Sequence, residues 1–137
     1  TGYKEDGSNG DVMVEIPKFY YKVVPVRLEP ASSGEGQQIV EAKWMVSSRA
    51  LRSFKVHPAF IHNGNEVDAI YVGAFDGYIS DNKLYSIAGV DYTGSISALQ
   101  SITYATNRGS NYTPILFTGI SAIQLLCLIQ LFIKLTF

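Results

Sequence analysis

The sequence predicts an α+β fold with antiparallel strands, and three observations predict it. Apolar residues alternate with a period of two through the first two-thirds of the chain; a helical period appears only after that; and no βαβ alternation joins the two regions. At 137 residues the chain fits one domain around one core. The organisation expected is a flexible, polar and Gly-rich lead-in over 1–10, then a single domain over 11–137.

The first strand is expected where Val12, Val14 and Ile16 alternate with Met13 and Glu15, with Pro17 ending it at an edge or a bend. Phe19 to Val26 is a second stretch of β, rich in Tyr and Val. Pro30 to Gln38 is a loop by composition. Strand character returns from Val40 to Val46, where Val40, Ala42, Trp44 and Val46 share a face and Trp44 is expected to be the largest apolar burial. Asn63-Gly64 signals a tight turn, because both residues tolerate positive φ. Asp68 to Phe75 is apolar on both faces and is expected to be a central strand. Asp76-Gly77 and Ser80 to Lys83 are turns, and Leu84 to Val90 is a short strand.

Two helices complete the pattern. Ser95 is the expected N-cap of a helix from Ile96 to about Asn107, with Ile96, Leu99, Ile102 and Ala105 on one stripe and Gly109 as its stop signal. Thr118 caps a second helix from Gly119 to about Leu135. Ile115 to Ile133 carries no charge and is nearly long enough to span a bilayer. Pro114 and the Thr118-Gly119 step interrupt it, so the reading is a helix covered on most sides. A membrane segment and a face that pairs with another chain are the alternatives.

Composition removes several classes of function. Hydrophobic residues make up 47% and charged residues 17%, which is a folding chain and not a disordered one. A net charge of −1 withholds the long-range attraction that a polyanion or an anionic membrane needs, so neither nucleic acid nor membrane is an expected partner. The single cysteine, Cys127, excludes an internal disulfide; its apolar neighbours predict a small core residue. Thr1 to Asp11 lacks the apolar run of a signal peptide, and without an initiator Met the sequence reads as a piece of a longer protein.

No motif in the chain carries recognisable catalytic chemistry. His57 and His62 with Glu66 and Asp68 have the residue types of a metal site, but an extended stretch and a turn need not converge them. Asp76, Asp81, Asn82 and Asp91 fall in one turn-rich region without the motif triplets of calcium-dependent lectins. No Ser/His/Asp set, P-loop or dinucleotide glycine pattern is present. No enzyme activity, metal or cofactor is therefore expected. Nine Tyr and seven Phe against one Trp favour tyrosine as the contact residue, since each ring brings area at low entropy cost. Tyr20, Tyr21, Tyr78, Tyr85, Tyr92 and Tyr112 are candidates for exposure, and Tyr78, Tyr85, Tyr92 and Tyr112 are the candidate ligand-binding residues.

Three groups of residues carry a family resemblance. They are Met13 to Tyr20 (MVEIPKFY) with Trp44 to Ser47; Val56 to Phe60 (VHPAF) with Asn63 to Asp68 (NGNEVD) and Ile70 to Phe75 (IYVGAF); and Tyr104 to Tyr112 (YATNRGSNY) with Ser121 to Leu126 (SAIQLL). Together they resemble phage and prophage structural proteins with a C-type-lectin-like domain. That group is similar to the variable proteins diversified by retroelements and, more distantly, to formylglycine-generating-enzyme-like domains. The resemblance spans most of residues 11–130.

It implies a non-enzymatic attachment module on a virion tail or an extracellular surface, displaying a binding surface to a host protein or glycan beside other virion or surface subunits. It also implies a homo-oligomer, a trimer in a tail-type assembly, formed through strand edges or the final helix. A bacterial surface lectin-like module and a degenerate formylglycine-generating-type enzyme using Cys127 are the alternatives. The family continues into further strands and loops where this chain ends at Phe137, so the expectation is a form truncated at its carboxyl end or carrying an altered tail.

Overall fold

Nine strands precede two helices, four of the strands being short ones beyond those the patterning marks, in a computed structural model that describes residues 4–134 and side chains to residue 130. The strands are β1 (Met13–Pro17), β2 (Tyr20–Pro30), β3 (Gln37–Ser47), β4 (Lys55–Val56), β5 (Ile61–His62), β6 (Asn65–Glu66), β7 (Ala69–Gly73), β8 (Tyr78–Ser80) and β9 (Lys83–Tyr85); the helices are α1 (Ala98–Thr106) and α2 (Phe117–Lys134). The chain is α+β with antiparallel sheets and two helices. It divides into two compact units, one of residues up to Ile16 and from Ala69 onward, the other of Pro17–Asp68. The expected start of the lead-in at Thr1 and end of the second helix at Leu135 lie outside the described residues.

In the Pro17–Asp68 unit, β2 and β3 form a hairpin of two eleven-residue strands running from Tyr20 opposite Ser47 to Pro30 opposite Gln37. The register is irregular at Arg27, which faces Glu41. β4 adds to β2 at Tyr20 and Tyr21, leaving β3 as an edge of this three-stranded sheet. Asn63 and Gly64 take φ of 50° and 80°, the two left-handed residues of a type I′ turn, and join β5 to β6 as the dipeptide predicts. Lys18 closes the unit on itself: its N–H donates to the Asp68 carbonyl at 2.7 Å and its Nζ to the Asp68 carboxylate at 2.9 Å.

The core of this unit is aromatic. Phe60 is fully buried beneath a 3₁₀ turn, Pro58–Phe60, with Phe19 edge-on at 5.3 Å. His57 caps that turn, its Nδ1 accepting from the Ala59 N–H at 3.2 Å, and its ring lies 5.0 Å from Phe19 and 5.4 Å from Tyr21. Trp44 stacks on Tyr21 at 6.3 Å yet is 54% exposed, so it is not the large burial that alternation suggested. Alternation fixes the face a residue occupies; the hairpin leaves that face largely uncovered.

In the other unit β1 pairs with β7, and β8 pairs with β9 through a second type I′ turn at Asp81 and Asn82 (φ 49° and 57°). Val12 and Ile16 are buried as expected, but Val14 between them is exposed. β7 is not central: it pairs only with β1 among the described residues, and Tyr71 reaches solvent with its hydroxyl donating to Glu15 at 3.0 Å. The strand expected over Leu84 to Val90 stops at Tyr85, where Ser86 turns inward.

α1 is capped by Ser97, two residues after the expected Ser95. Gln100 makes a reciprocal bond back to the cap, and this two-way capping box outcompetes a lone serine. Its expected stripe is buried only at Ala105, while Leu99 is 74% exposed. α2 starts at Phe117, before the expected Thr118 cap, and buries Ala122 and Leu125 on one side; Phe117, Ile120 and Leu128 are exposed. The helix is therefore not covered on most sides, and Cys127 is exposed and not a core residue. Among the described residues no helix is long and apolar enough to cross a membrane.

Burial pushes the His57 imidazole below its ordinary value of 6.5. The unfolded chain then binds the extra proton first as pH falls, so this contribution to stability is complete above the unfolded value and drains away below it, toward the folded one. His57→Asn keeps an acceptor for Ala59 and removes the titration. We expect a lower urea midpoint at neutral pH, and a smaller loss of midpoint between about pH 7.5 and about pH 5.5 than in the parent.

Candidate ligand-binding surface

The surface begins at a buried carboxylate. The Asp11 side chain is 7% exposed; its Oδ1 accepts from the Ser86 N–H at 3.1 Å and its Oδ2 from Arg108 Nη2. Ser86 lies at the end of β9 and is itself buried. Its carbonyl accepts from the Val12 N–H at 2.7 Å, and its Oγ accepts from the Phe75 N–H at 3.0 Å while lying within donating distance of the Val12 and Phe75 carbonyls. The Val12 carbonyl in turn accepts from the Ala74 N–H at 2.9 Å. Gly73 is required here, because a Cβ on it would stand 2.9 Å from Ser86 Oγ.

Arg108 follows α1 and carries this network outward to two rings. Its guanidinium carbon sits 4.1 Å from the centre of the Tyr85 ring and 5.5 Å from that of Tyr112. Burial works against its charge, and the hydrogen bond and charge of Asp11 outweigh that, holding the guanidinium above its ordinary value. The buried Nε has no hydrogen-bond acceptor among the described residues.

Of the four tyrosines singled out by sequence, the structure joins three. Tyr85 and Tyr112 flank Arg108, and Tyr78 is the cross-strand partner of Tyr85 in β8. Tyr78 and Tyr85 are half-buried, whereas Tyr112 is exposed. Tyr92 stands apart from the guanidinium and is 69% exposed. The loop carrying it is held against β8, with the Thr93 N–H donating to the Gly77 carbonyl at 2.9 Å and Thr93 Oγ1 accepting from the Ile79 N–H at 2.9 Å. Tyr20 and Tyr21 are half-buried in the other unit.

Arg108 and Asp11 were not singled out as site residues by sequence; a lone Arg beside Gly109 carries no signal of a partner 97 residues away. The resulting arrangement can stack on a planar or sugar-like ligand and donate hydroxyl hydrogen bonds. His57 and His62 both address Ala59, His57 at its N–H and His62 Nε2 at its carbonyl 3.2 Å away. No group of three or more His, Cys, Asp or Glu side chains placed to hold a metal occurs among the described residues.

In comparison with known proteins, no family model, no curated protein and no solved structure matches the chain.

Truncating Arg108 strands a buried carboxylate and strips two rings of their cation. Arg108→Met is expected to cost about 3 kcal/mol or more of unfolding free energy, and Arg108→Lys a smaller amount, because a lysine restores charge but not the planar stack. Urea unfolding of the two variants checks the order; equal and small losses contradict it.

Proposed function

We propose that the chain is a non-enzymatic attachment module with a C-type-lectin-like fold, from a phage or prophage particle, recognising a host-surface protein or glycan. Two things support the reading. The segments MVEIPKFY, VHPAF with NGNEVD and IYVGAF, and YATNRGSNY with SAIQLL resemble phage and prophage proteins of that kind. The α+β organisation, with antiparallel strands first and two helices after, is compatible with it.

The observation that carries the binding part is the ring cluster on Arg108. A guanidinium fixed by a buried carboxylate holds Tyr85 and Tyr112 in place, and ordered rings lose little entropy when a ligand covers them. The contact residues in this reading are Tyr78, Tyr85, Tyr92 and Tyr112, with Tyr92 and Tyr112 presenting the most ring surface. The particle or an extracellular surface is the location that this function requires.

The test is saturable binding of the fluorescently labelled chain to a panel of intact bacterial cells, with and without calcium. The reading expects saturation on at least one strain, and a roughly tenfold or greater weakening by Tyr112→Ala or Tyr92→Ala, each a loss of about 1.4 kcal/mol or more. Binding that neither variant weakens removes the tyrosine surface, and no saturable binding on any strain removes the attachment function.

A further inference from the structure

The geometry points to a second copy of this chain as the partner of β3, paired edge to edge about a two-fold axis at Ala42. β3 is an eleven-residue strand at the edge of its sheet. β2 carries Pro25 and Pro30, residues that cannot donate to a neighbouring strand. β3 has no proline along its length, so its outer edge lacks that block. Ile39, Val40 and Trp44 are exposed on this strand; in the hairpin Ile39 faces Leu28 and Trp44 faces Val23, while Val40 sits at the register irregularity with no partner in the register.

Charge selects the register. A two-fold axis normal to the sheet relates two antiparallel strands and always sets a residue opposite one of the same face, so each register centres on a residue. Centred on Ala42, all of Gln37–Ser47 pairs with its copy. Glu41 then faces the copy's Lys43 twice, Val40 faces Trp44 twice, and Ile39 faces Met45 twice. These are two opposite-charge pairs and two pairs of a β-branched residue with an aromatic one, the combinations that stabilise cross-strand contacts.

Centring on Glu41 sets that carboxylate against itself, and centring on Lys43 opposes two ammoniums, both unfavourable. Glu41 lies only 3.9 Å from Arg27 Nε in a pair exposed on both sides, which leaves it free to meet a second cation; Lys43 makes no ion pair among the described residues. The joined sheet has six strands. This pairing closes at two copies, so it differs from the trimer that the family resemblance implies, and it does not rest on the attachment function.

Sedimentation velocity of the full chain over a concentration series tests it. The parent is expected to dimerise, Lys43→Glu and Glu41→Lys each to weaken dimerisation roughly tenfold or more by placing like charges in both pairs, and the double swap E41K/K43E to restore it. A register readout independent of charge is Ala42→Cys in a Cys127→Ser background. At the two-fold, the paired Cα atoms stand about 4.5–5.5 Å apart, within disulfide reach, so a cross-linked dimer forms on oxidation. A chain that is monomeric throughout, a trimer, a dimer that Lys43→Glu leaves intact, or an Ala42→Cys chain that does not cross-link overturns the inference.

Discussion

The carboxylate of Asp11 is the constraint on which its unit depends. It arrives at the head of β1, receives the Ser86 N–H from the end of β9, and receives Arg108 from the turn after α1. Ser86 adds the end of β7 through Phe75, and Val12 adds Ala74. Four segments distant in sequence are therefore tied by polar bonds in a place that excludes most water, where an unpaired member costs its full desolvation. Apolar burial alone does not define this unit: its buried apolar side chains are few, and α2 contributes only Ala122 and Leu125 among its described residues.

That polar knot also explains why the tyrosines form a surface. A guanidinium free to move would give Tyr85 and Tyr112 a weak and shifting partner. Held by a buried anion, it becomes a fixed platform between the rings. The Pro17–Asp68 unit relies on a different principle. There an aromatic cluster of Phe19, His57 and Phe60 supplies the core, His57 serves both as cap and as packing ring, and Lys18 with Asp68 fastens the two ends.

The sequence was most legible where backbone geometry admits few residues. Asn63-Gly64 marked a hairpin, and Ser80 to Lys83 marked a turn, because consecutive left-handed residues favour Gly, Asn and Asp. Strand and helix existence followed from periodicity in most segments. Coverage did not: Val14, Trp44 and Leu99 each sit at a position whose pattern points inward, yet each is exposed, because period reports a face and not what lies over it. Cys127 misleads for the same reason, its apolar neighbours belonging to a helix with an open side. In the candidate site the tyrosines could be picked by chemistry. Arg108 could not, since the residue that gives it a role lies at the other end of the chain.

Amide hydrogen exchange at Val12, Ala74 and Ser86 tests the central claim most directly, comparing the parent with Asp11→Asn, which keeps the size of the side chain and discards its charge. If the buried carboxylate ties these segments into one unit, the three amides lose protection together, by roughly a hundredfold, the equivalent of about 3 kcal/mol. Unchanged protection at Val12 and Ala74, with or without a local effect at Ser86, contradicts that account.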